Sequence, residues 1–326
     1  MTGIIILNWN GATDTIECLK SLYNAEGDFF TVVVDNGSTD NSFDRILNYV
    51  KEAGIKYRVK QKGDKMEGTP LRRECIMFKT LSNLGFAKGN NEALRFLLPY
   101  KAESYILLNN DTIVESNFLT ELQRFSAEHP GYAALTPLIC YEDNRNLVWN
   151  CGGKQKAGFR KYFYAREDIS EIKETEYIDI TFVTGCALFF HPDMLLKDGG
   201  IFTEKFFFGE EDFNFCINAN KNKKKMACVL TSKIYHKVSS STTNNDPIGK
   251  TYIYYLNRYI DIKDNYNSIF YTLWKLINFP NVVRILKRKG MGTSDAIHWT
   301  LRLQKEANRK DGVSYDDFVQ ALKLKP

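Results

Sequence analysis

The stretch SYILLNND, residues 104–111, decides how the chain is read. Residues 105–108 are apolar or aromatic, the mark of a buried strand, and the run stops at Asn109-Asn110-Asp111 with Thr112 behind. Open α/β sheets collect ligand-binding groups at the carboxyl ends of their strands. A carboxylate there is also a hard oxygen ligand suited to Mg²⁺ or Mn²⁺. Alone, the stretch reads as a strand followed by an Asn/Asp turn. Two earlier strands that end in the same way change its meaning.

The first of these is residues 3–7, GIIIL, a continuous apolar run that closes on Asn8-Trp9-Asn10-Gly11. Thr13 is expected to cap the next helix, whose inward face would be Ile16, Leu19, Leu22 and Tyr23. The second is residues 29–34, which end at Asp35-Asn36-Gly37-Ser38-Thr39-Asp40, with a helix from Asn41. Strand, helix, strand, helix predicts an α/β fold with a mostly parallel open sheet and helices on both faces. Asp35 is thus a second strand-end carboxylate. It reads either as a turn former or as an acceptor for the base or ribose of a nucleotide.

Residues 54–72 are charged and carry Gly54, Gly63, Gly68 and Pro70, which predicts a mobile loop before a third strand over 74–80. Residues 82–91 then form a Gly-containing turn that opens a helix ending near Pro99. Such a turn can hold phosphate through backbone N–H groups, and Lys88 adds charge. It is neither a dinucleotide-binding glycine motif nor a P-loop.

Beyond Asp111 the pattern predicts a helix over 116–129 and strands over 133–141 and 147–151. An aromatic, basic hairpin or loop over 158–166 and strands near 177–183 and 185–190 follow. FFFGEED, residues 206–212, opens another helix. Three acids on a first helical turn suit the helix dipole. They also suit a general base, because an aromatic surround raises a carboxylate pKa and excludes water. A short strand over 226–230 leads to Tyr235-His236-Lys237.

With 326 residues, 44% hydrophobic and 25% charged, the chain suits one large domain or a domain with an appendage. A net charge of +5 does not call for nucleic acid. The seven cysteines show no C-x-x-C spacing, so neither a zinc site nor a disulfide framework is expected, and free thiols in a reducing cytosol are. Strand-like sequence from Gly3 leaves no room for a signal peptide, and no apolar run is long enough to span a bilayer. Residues 269–286 are rich in Phe, Trp, Leu, Ile and Val, broken by Pro280, with Lys275, Arg284, Lys287, Arg288 and Lys289 within or beside them. Two readings stand for this segment: it lies in a membrane interface, or it packs on the rest of the chain or on a second subunit as a helical hairpin bent at Pro280.

Taken in order, IIILNWNG (4–11), VVVDNGSTDNS (32–42), LSNLGFAKGNN (81–91), LLNNDT (107–112), TGCALFF (184–190), FFFGEEDFNFC (206–216) and YHKVSSST (235–242) resemble the family-2 inverting glycosyltransferases of GT-A fold, in the rhamnosyltransferase-like branch. YYLNRY (254–259) looks like the helix that follows the catalytic domain in that branch. The resemblance implies a GT-A domain over 1–262, with a nucleotide-binding half over 1–111 and an acceptor half over 112–262, and a C-terminal helical extension over 263–326. It implies a nucleotide-sugar site formed by Asn8, Asn10, Asp35, Asn36, Asn83, Gly85, Phe86, Gly89, Asn90, Asn110 and Asp111. Asp212, beside Glu211, would be the catalytic base, and Asp111 with His236 would hold Mg²⁺ or Mn²⁺. Two positions depart from the pattern: Asn109 replaces the first carboxylate of the D-x-D motif, and Asn214 replaces an acid common after the Glu-Asp pair.

The implied partners are a dTDP-rhamnose or UDP-hexose donor and a lipid-linked saccharide acceptor, reached at the cytoplasmic face of the membrane. A homodimer is a further expectation. A nucleotidyltransferase that makes nucleotide sugars is a rival reading. It would want a basic, Gly-rich loop after its first strand, and Asn8-Trp9-Asn10-Gly11 has no Lys or Arg. A non-catalytic nucleotide-sugar binding module is the other rival.

Overall fold

In the computed structural model, residues 1–238 and 247–323 are described; the 239–242 part of the YHKVSSST motif lies outside them. The first half of the chain runs β1 (Thr2–Asn8), α1 (Ala12–Asn24), β2 (Phe29–Asp35), α2 (Ser42–Glu52), β3 (Tyr57–Gln61), β4 (Cys75–Lys79), α3 (Phe86–Leu97), β5 (Ser104–Asn109), β6 (Thr112–Val114) and α4 (Phe118–Glu128). Next come β7 (Tyr132–Tyr141), β8 (Val148–Asn150), β9 (Gly153–Lys156), β10 (Phe159–Tyr162), β11 (Tyr177–Ile180) and β12 (Ala187–Phe190). After α5 (Glu211–Lys221) and β13 (Lys225–His236), the chain ends in four helices: α6 (Pro247–Asn265), α7 (Ser268–Arg288), α8 (Thr293–Arg309) and α9 (Tyr315–Leu322).

The main sheet has the order β11-β13-β7-β12-β5-β1-β2-β4-β3. Its β1, β2, β3, β4 and β5 are parallel, and β12 enters antiparallel between β5 and β7. Both faces of the central strands are covered, which is why these strands read as unbroken apolar runs. Successive side chains alternate between two cores. Ile4 and Ile6 of β1 pack with Leu19 and Leu22 of α1, Ile46 of α2 and Phe118 of α4. Ile5, on the opposite face, joins Leu94 of α3, Phe213 of α5 and Tyr259 of α6. That second core continues through Trp274, Leu286 and Leu303, so the terminal helices share a core with the sheet. Parallel alignment brings the ends of β1, β2 and β5 to one edge: Asn8 lies opposite Asp35, and Leu7 opposite Asn109.

Several expectations are corrected. Residues 57–61, read as part of a loop, form β3, paired with β4 alone at the sheet edge. Its side chains alternate in exposure and include Arg58 and Lys60, the charged pattern that protects an edge strand and hides its strand signal. Thr13 does not cap α1; Gly11 occupies that position without a side-chain bond. The short strand over 226–230 is the first part of β13, which continues past a register shift between Val229 and Lys233 to His236. Pro280 does not bend α7 into a hairpin, since the helix runs unbroken from Ser268 to Arg288. Proline leaves the carbonyl four residues earlier without its helical donor. Here that residue is Leu276, 68% exposed, so water can serve the carbonyl.

Candidate active site

Asn8 and Asp35 end adjacent parallel strands, and their side chains meet: Asn8 Nδ2 donates to Asp35 Oδ1 at 3.2 Å and to Ser38 Oγ at 3.2 Å. Thr15 Oγ1 donates to Asn8 Oδ1 at 2.8 Å, which fixes the carboxamide. Both Asn8 and Asp35 are buried. Asn10 is exposed, and its Oδ1 accepts from the Thr39 N–H at 2.8 Å. It therefore ties the turn after β1 to the turn after β2.

Asn36 secures the glycine turn. Its Nδ2 donates to Asn83 Oδ1 at 3.1 Å and to the Gly85 carbonyl at 3.2 Å, and its Oδ1 accepts from the Leu84 N–H at 3.1 Å. Gly85 has φ +82, and a Cβ there would lie 2.2 Å from the Phe207 carbonyl oxygen. Only glycine lets that turn meet the loop before α5. Gly89 sits against Leu7 and Asn36, Phe86 packs on Phe202, and Asn90 donates to the Phe86 carbonyl at 2.9 Å.

At the end of β5, Asn110 Nδ2 donates to Thr15 Oγ1 at 3.0 Å. Asp111 follows, and β13 delivers His236 to it with Nε2 3.0 Å from Asp111 Oδ1. The antiparallel pairing of β13 with β6 puts His236 opposite Thr112, so register sets this contact. The His236 ring packs edge-on against Trp149 at 4.4 Å, and its Nδ1 is buried with no hydrogen-bond partner among the described residues. Burial opposes the charged imidazole, yet Cys186 and Asp111 outweigh burial and lift its pKa to about 10. These are the two groups the sequence predicts as metal ligands, and the fold sets them in contact.

The three acids at the start of α5 have three different settings. Glu210 is left-handed at φ 77, and its carboxylate is ion-paired with Arg258 of α6, both side chains almost fully buried. Arg258 also stacks on Phe213 at 3.3 Å. Asn257 Nδ2 donates to the Phe208 carbonyl at 2.9 Å, and Asn214 Nδ2 donates to Asp261 Oδ1 at 2.5 Å. Helix α6 thus grips the loop that presents Glu211 and Asp212. Glu211 Oε2 is buried and unpartnered among the described residues. Burial, then the charge of Asp212, push the Glu211 carboxyl up to about 8. The backbone N–H groups of Phe213 and Gly185 lie near the Asp212 carboxylate and favour its charged form. Burial raises its pKa against the pull of Arg160 and Arg258. Gly185 precedes Cys186, whose carbonyl accepts from the Asn109 N–H at 2.8 Å. That connection brings Asp212 to the same sheet edge as Asp111.

No protein-family model matches the sequence, and no curated protein matches it. Solved structures do. A mannosyltransferase from Pyrobaculum calidifontis, in complex with GDP-mannose and Mn²⁺, is similar at 13% identity with a TM-score of 0.53, over 94% of this chain and 75% of its own. GalNAc-T7 with UDP, GalNAc and Mn²⁺ is similar at 13% identity and a TM-score of 0.55, over 98% of this chain and 56% of its own. TarS from S. aureus is similar at 15% identity and a TM-score of 0.51, over 94% and 54% respectively. The chain has the GT-A fold. It spans three quarters of the first of these chains and little more than half of the other two.

Two other features of this GT-A chain lie away from the strand-end site. Glu128, His129 and Glu176 hold donor atoms within 4.8 Å of one another. Glu128 and His129 sit just before β7 and Glu176 just before β11, and Arg124 already pairs with Glu128 at 2.7 Å and Glu176 at 3.2 Å. A cleft of about 710 Å³ lined by Asp193, Lys205, Asn218 and Lys224 flanks α5 and includes neither Asp111 nor Asp212. The sequence reading assigned nothing to Arg160 or Arg258. Both reach Asp212 through tertiary packing, Arg160 from a hairpin and Arg258 from a terminal helix.

Proposed function

We propose that the protein is a metal-dependent glycosyltransferase that uses a nucleotide-diphosphate sugar. The observation that carries this reading is the convergence, at one edge of a GT-A sheet, of three acidic groups. They are the buried strand-end Asp35, the Asp111–His236 pair and the helix-start Asp212. The nucleotide and Mn²⁺ bound in the similar mannosyltransferase and GalNAc-T7 structures support the same ligand class here. In this reading Asp35 accepts from base or ribose, while Asn8, Asn10, Asn36, Asn110 and the turn from Asn83 through Gly85 and Phe86 to Gly89 and Asn90 line the nucleotide. The nucleotide half is 1–111, the acceptor half 112–262 and the helical extension 263–326.

The chemistry is a single displacement with inversion. Asp212, with Glu211 beside it, takes the proton of an acceptor hydroxyl, and that oxygen bonds to the anomeric carbon. The bond from that carbon to the diphosphate breaks, and the nucleoside diphosphate leaves with the electron pair. A positioned base contributes about 10²–10⁴-fold. Asp111 and His236 would hold the metal, which when bound offsets the charge of the leaving diphosphate. One carboxylate and one imidazole fit Mn²⁺ better than Mg²⁺, which prefers an all-oxygen shell.

The donor we favour is dTDP-rhamnose or a UDP-hexose, and the acceptor a lipid-linked saccharide of bacterial cell-surface polysaccharide, used by a homodimer at the cytoplasmic face of the membrane. The exposed face of α7 would supply peripheral contact through 269–289. Equilibrium binding of UDP, GDP and dTDP, with and without Mn²⁺, tests the site. At least one should bind more tightly with Mn²⁺, and Asp111→Ala should remove that gain. Nucleotide affinity that ignores both metal and Asp111 contradicts the assignment.

A further inference from the structure

We infer that the acceptor carries an anionic group, a phosphate or a carboxylate, beside the hydroxyl that reacts, and that the Arg160 guanidinium binds it. This rests on Asp212 being the base, as proposed above.

Arg160 lies on β10, and its Nη1 is 4.0 Å from Asp212 Oδ1, too far for a hydrogen bond. The rings of Tyr162, Phe182 and Tyr254 surround the guanidinium at 5.0, 4.9 and 6.0 Å. Its side chain keeps 21% exposure. Among the described residues, none of its N–H groups has an acceptor. A guanidinium offers five donors in a rigid fork that matches a carboxylate or phosphate, and aromatic walls withhold the water that would otherwise serve it. Arg258 gives the contrast: it is also walled by rings, but it is ion-paired with Glu210 and locked into the fold. Arg160 has no such carboxylate. The nearest one, Asp212, stands 4.0 Å away.

The position has a chemical consequence. A cation 4.0 Å from a base keeps the base ionised but weakens its hold on a proton. An acceptor anion on Arg160 neutralises that cation as the reacting hydroxyl arrives, so Asp212 becomes a stronger base only when the acceptor is in place. Water, which brings no anion, does not receive this help. Tyr162 and Tyr254 are each 37% exposed, and their hydroxyls have no hydrogen-bond partner among the described residues. They offer ring faces to the apolar side of a sugar and hydroxyls to its edge.

The test uses the full chain saturated with UDP and Mn²⁺, so that the donor site is filled. Methyl glucoside, methyl glucuronide and glucose 6-phosphate are titrated by calorimetry. At least one charged sugar should bind 10-fold or more tightly than the neutral one, and which of the two does so distinguishes carboxylate from phosphate. Arg160→Gln should abolish the preference and leave UDP affinity unchanged, while Arg160→Lys keeps part of the preference. If the charged sugars bind wild-type protein no better than methyl glucoside, or the preference survives in Arg160→Gln, the inference is wrong. If no nucleoside diphosphate binds with Mn²⁺, the glycosyltransferase reading itself fails, a different result.

Discussion

Glu211 and His236 carry charges that the fold has moved in pH, and each makes a prediction. The Glu211 carboxyl is lifted by burial from 4.5 to about 8. A folded pKa above the unfolded one means its contribution to stability is full below pH 4.5 and is lost as pH rises through about 8. Glu211→Gln should therefore gain about 1–3 kcal/mol over wild type at pH 9, and no such gain at pH 4, in denaturant titrations. A difference that does not depend on pH would show that Glu211 is ordinarily solvated. His236, held up to about 10 by Cys186 and Asp111 against burial, is protonated at neutral pH without metal. A ligating imidazole must be neutral, so Mn²⁺ binding should release a proton and tighten as pH rises from 6 to 8. Affinity flat across that range in wild type, or identical in His236→Gln, removes His236 from the metal site. The positions of Asp35 and Asp111 were legible because each ends an unbroken apolar run, and that of Asp212 because aromatic residues precede it. Arg160 and Arg258 were not, because a hairpin and a distant helix bring them in, and nothing local marks a residue that matters only through tertiary contact.

At the scale of elements, α7 carries the clearest unpaired surface. One side, with Tyr271, Trp274, Val282 and Leu286, is buried in the core. The other exposes Ile269 at 73%, Leu273 at 55%, Leu276 at 68% and Ile277 at 66%, with Lys275 and Arg284 on the same helix. The packing reading of this segment holds for its buried face; membrane contact by the exposed face is a proposal. No helix among the described residues is long and apolar enough to cross a membrane. Exposed apolar groups beside basic ones suit an anionic interface, where each basic residue contributes about 1 kcal/mol. Removing α7 would open the core, so substitution is the sounder test. Ile269→Ser with Leu276→Ser and Ile277→Ser should change unfolding free energy by less than about 1 kcal/mol and abolish flotation with anionic liposomes at low salt. Wild-type protein that stays at the bottom, or a triple variant that floats equally, rules out this face. Strong apolar runs made β1, β2 and β5 easy to read. Charged β3 and the proline inside α7 misled, because edge pairing and an exposed carbonyl are settled by neighbours that local sequence does not name.

At the scale of the whole molecule, the GT-A sheet gathers the ends of β1, β2, β5 and β13 onto one edge, and α6 reaches across to hold the loop before α5. The terminal helices are therefore part of the site's support as well as of the core. Arg258 of α6 pairs with Glu210, the left-handed residue that immediately precedes Glu211 and Asp212. In the proposed function this edge transfers a sugar from a nucleotide donor with Asp212 as base. The most direct measurement is release of nucleoside diphosphate from dTDP-rhamnose, UDP-hexoses and GDP-mannose with Mn²⁺, in the presence of lipid-linked saccharides extracted from a bacterial envelope. Release is expected from at least one donor, matched by sugar incorporated into the acceptor. Asp212→Asn should lose about 10²–10⁴-fold in turnover while its nucleotide affinity stays within twofold of wild type. Release from no donor, or turnover in Asp212→Asn close to wild type, would contradict the proposed function.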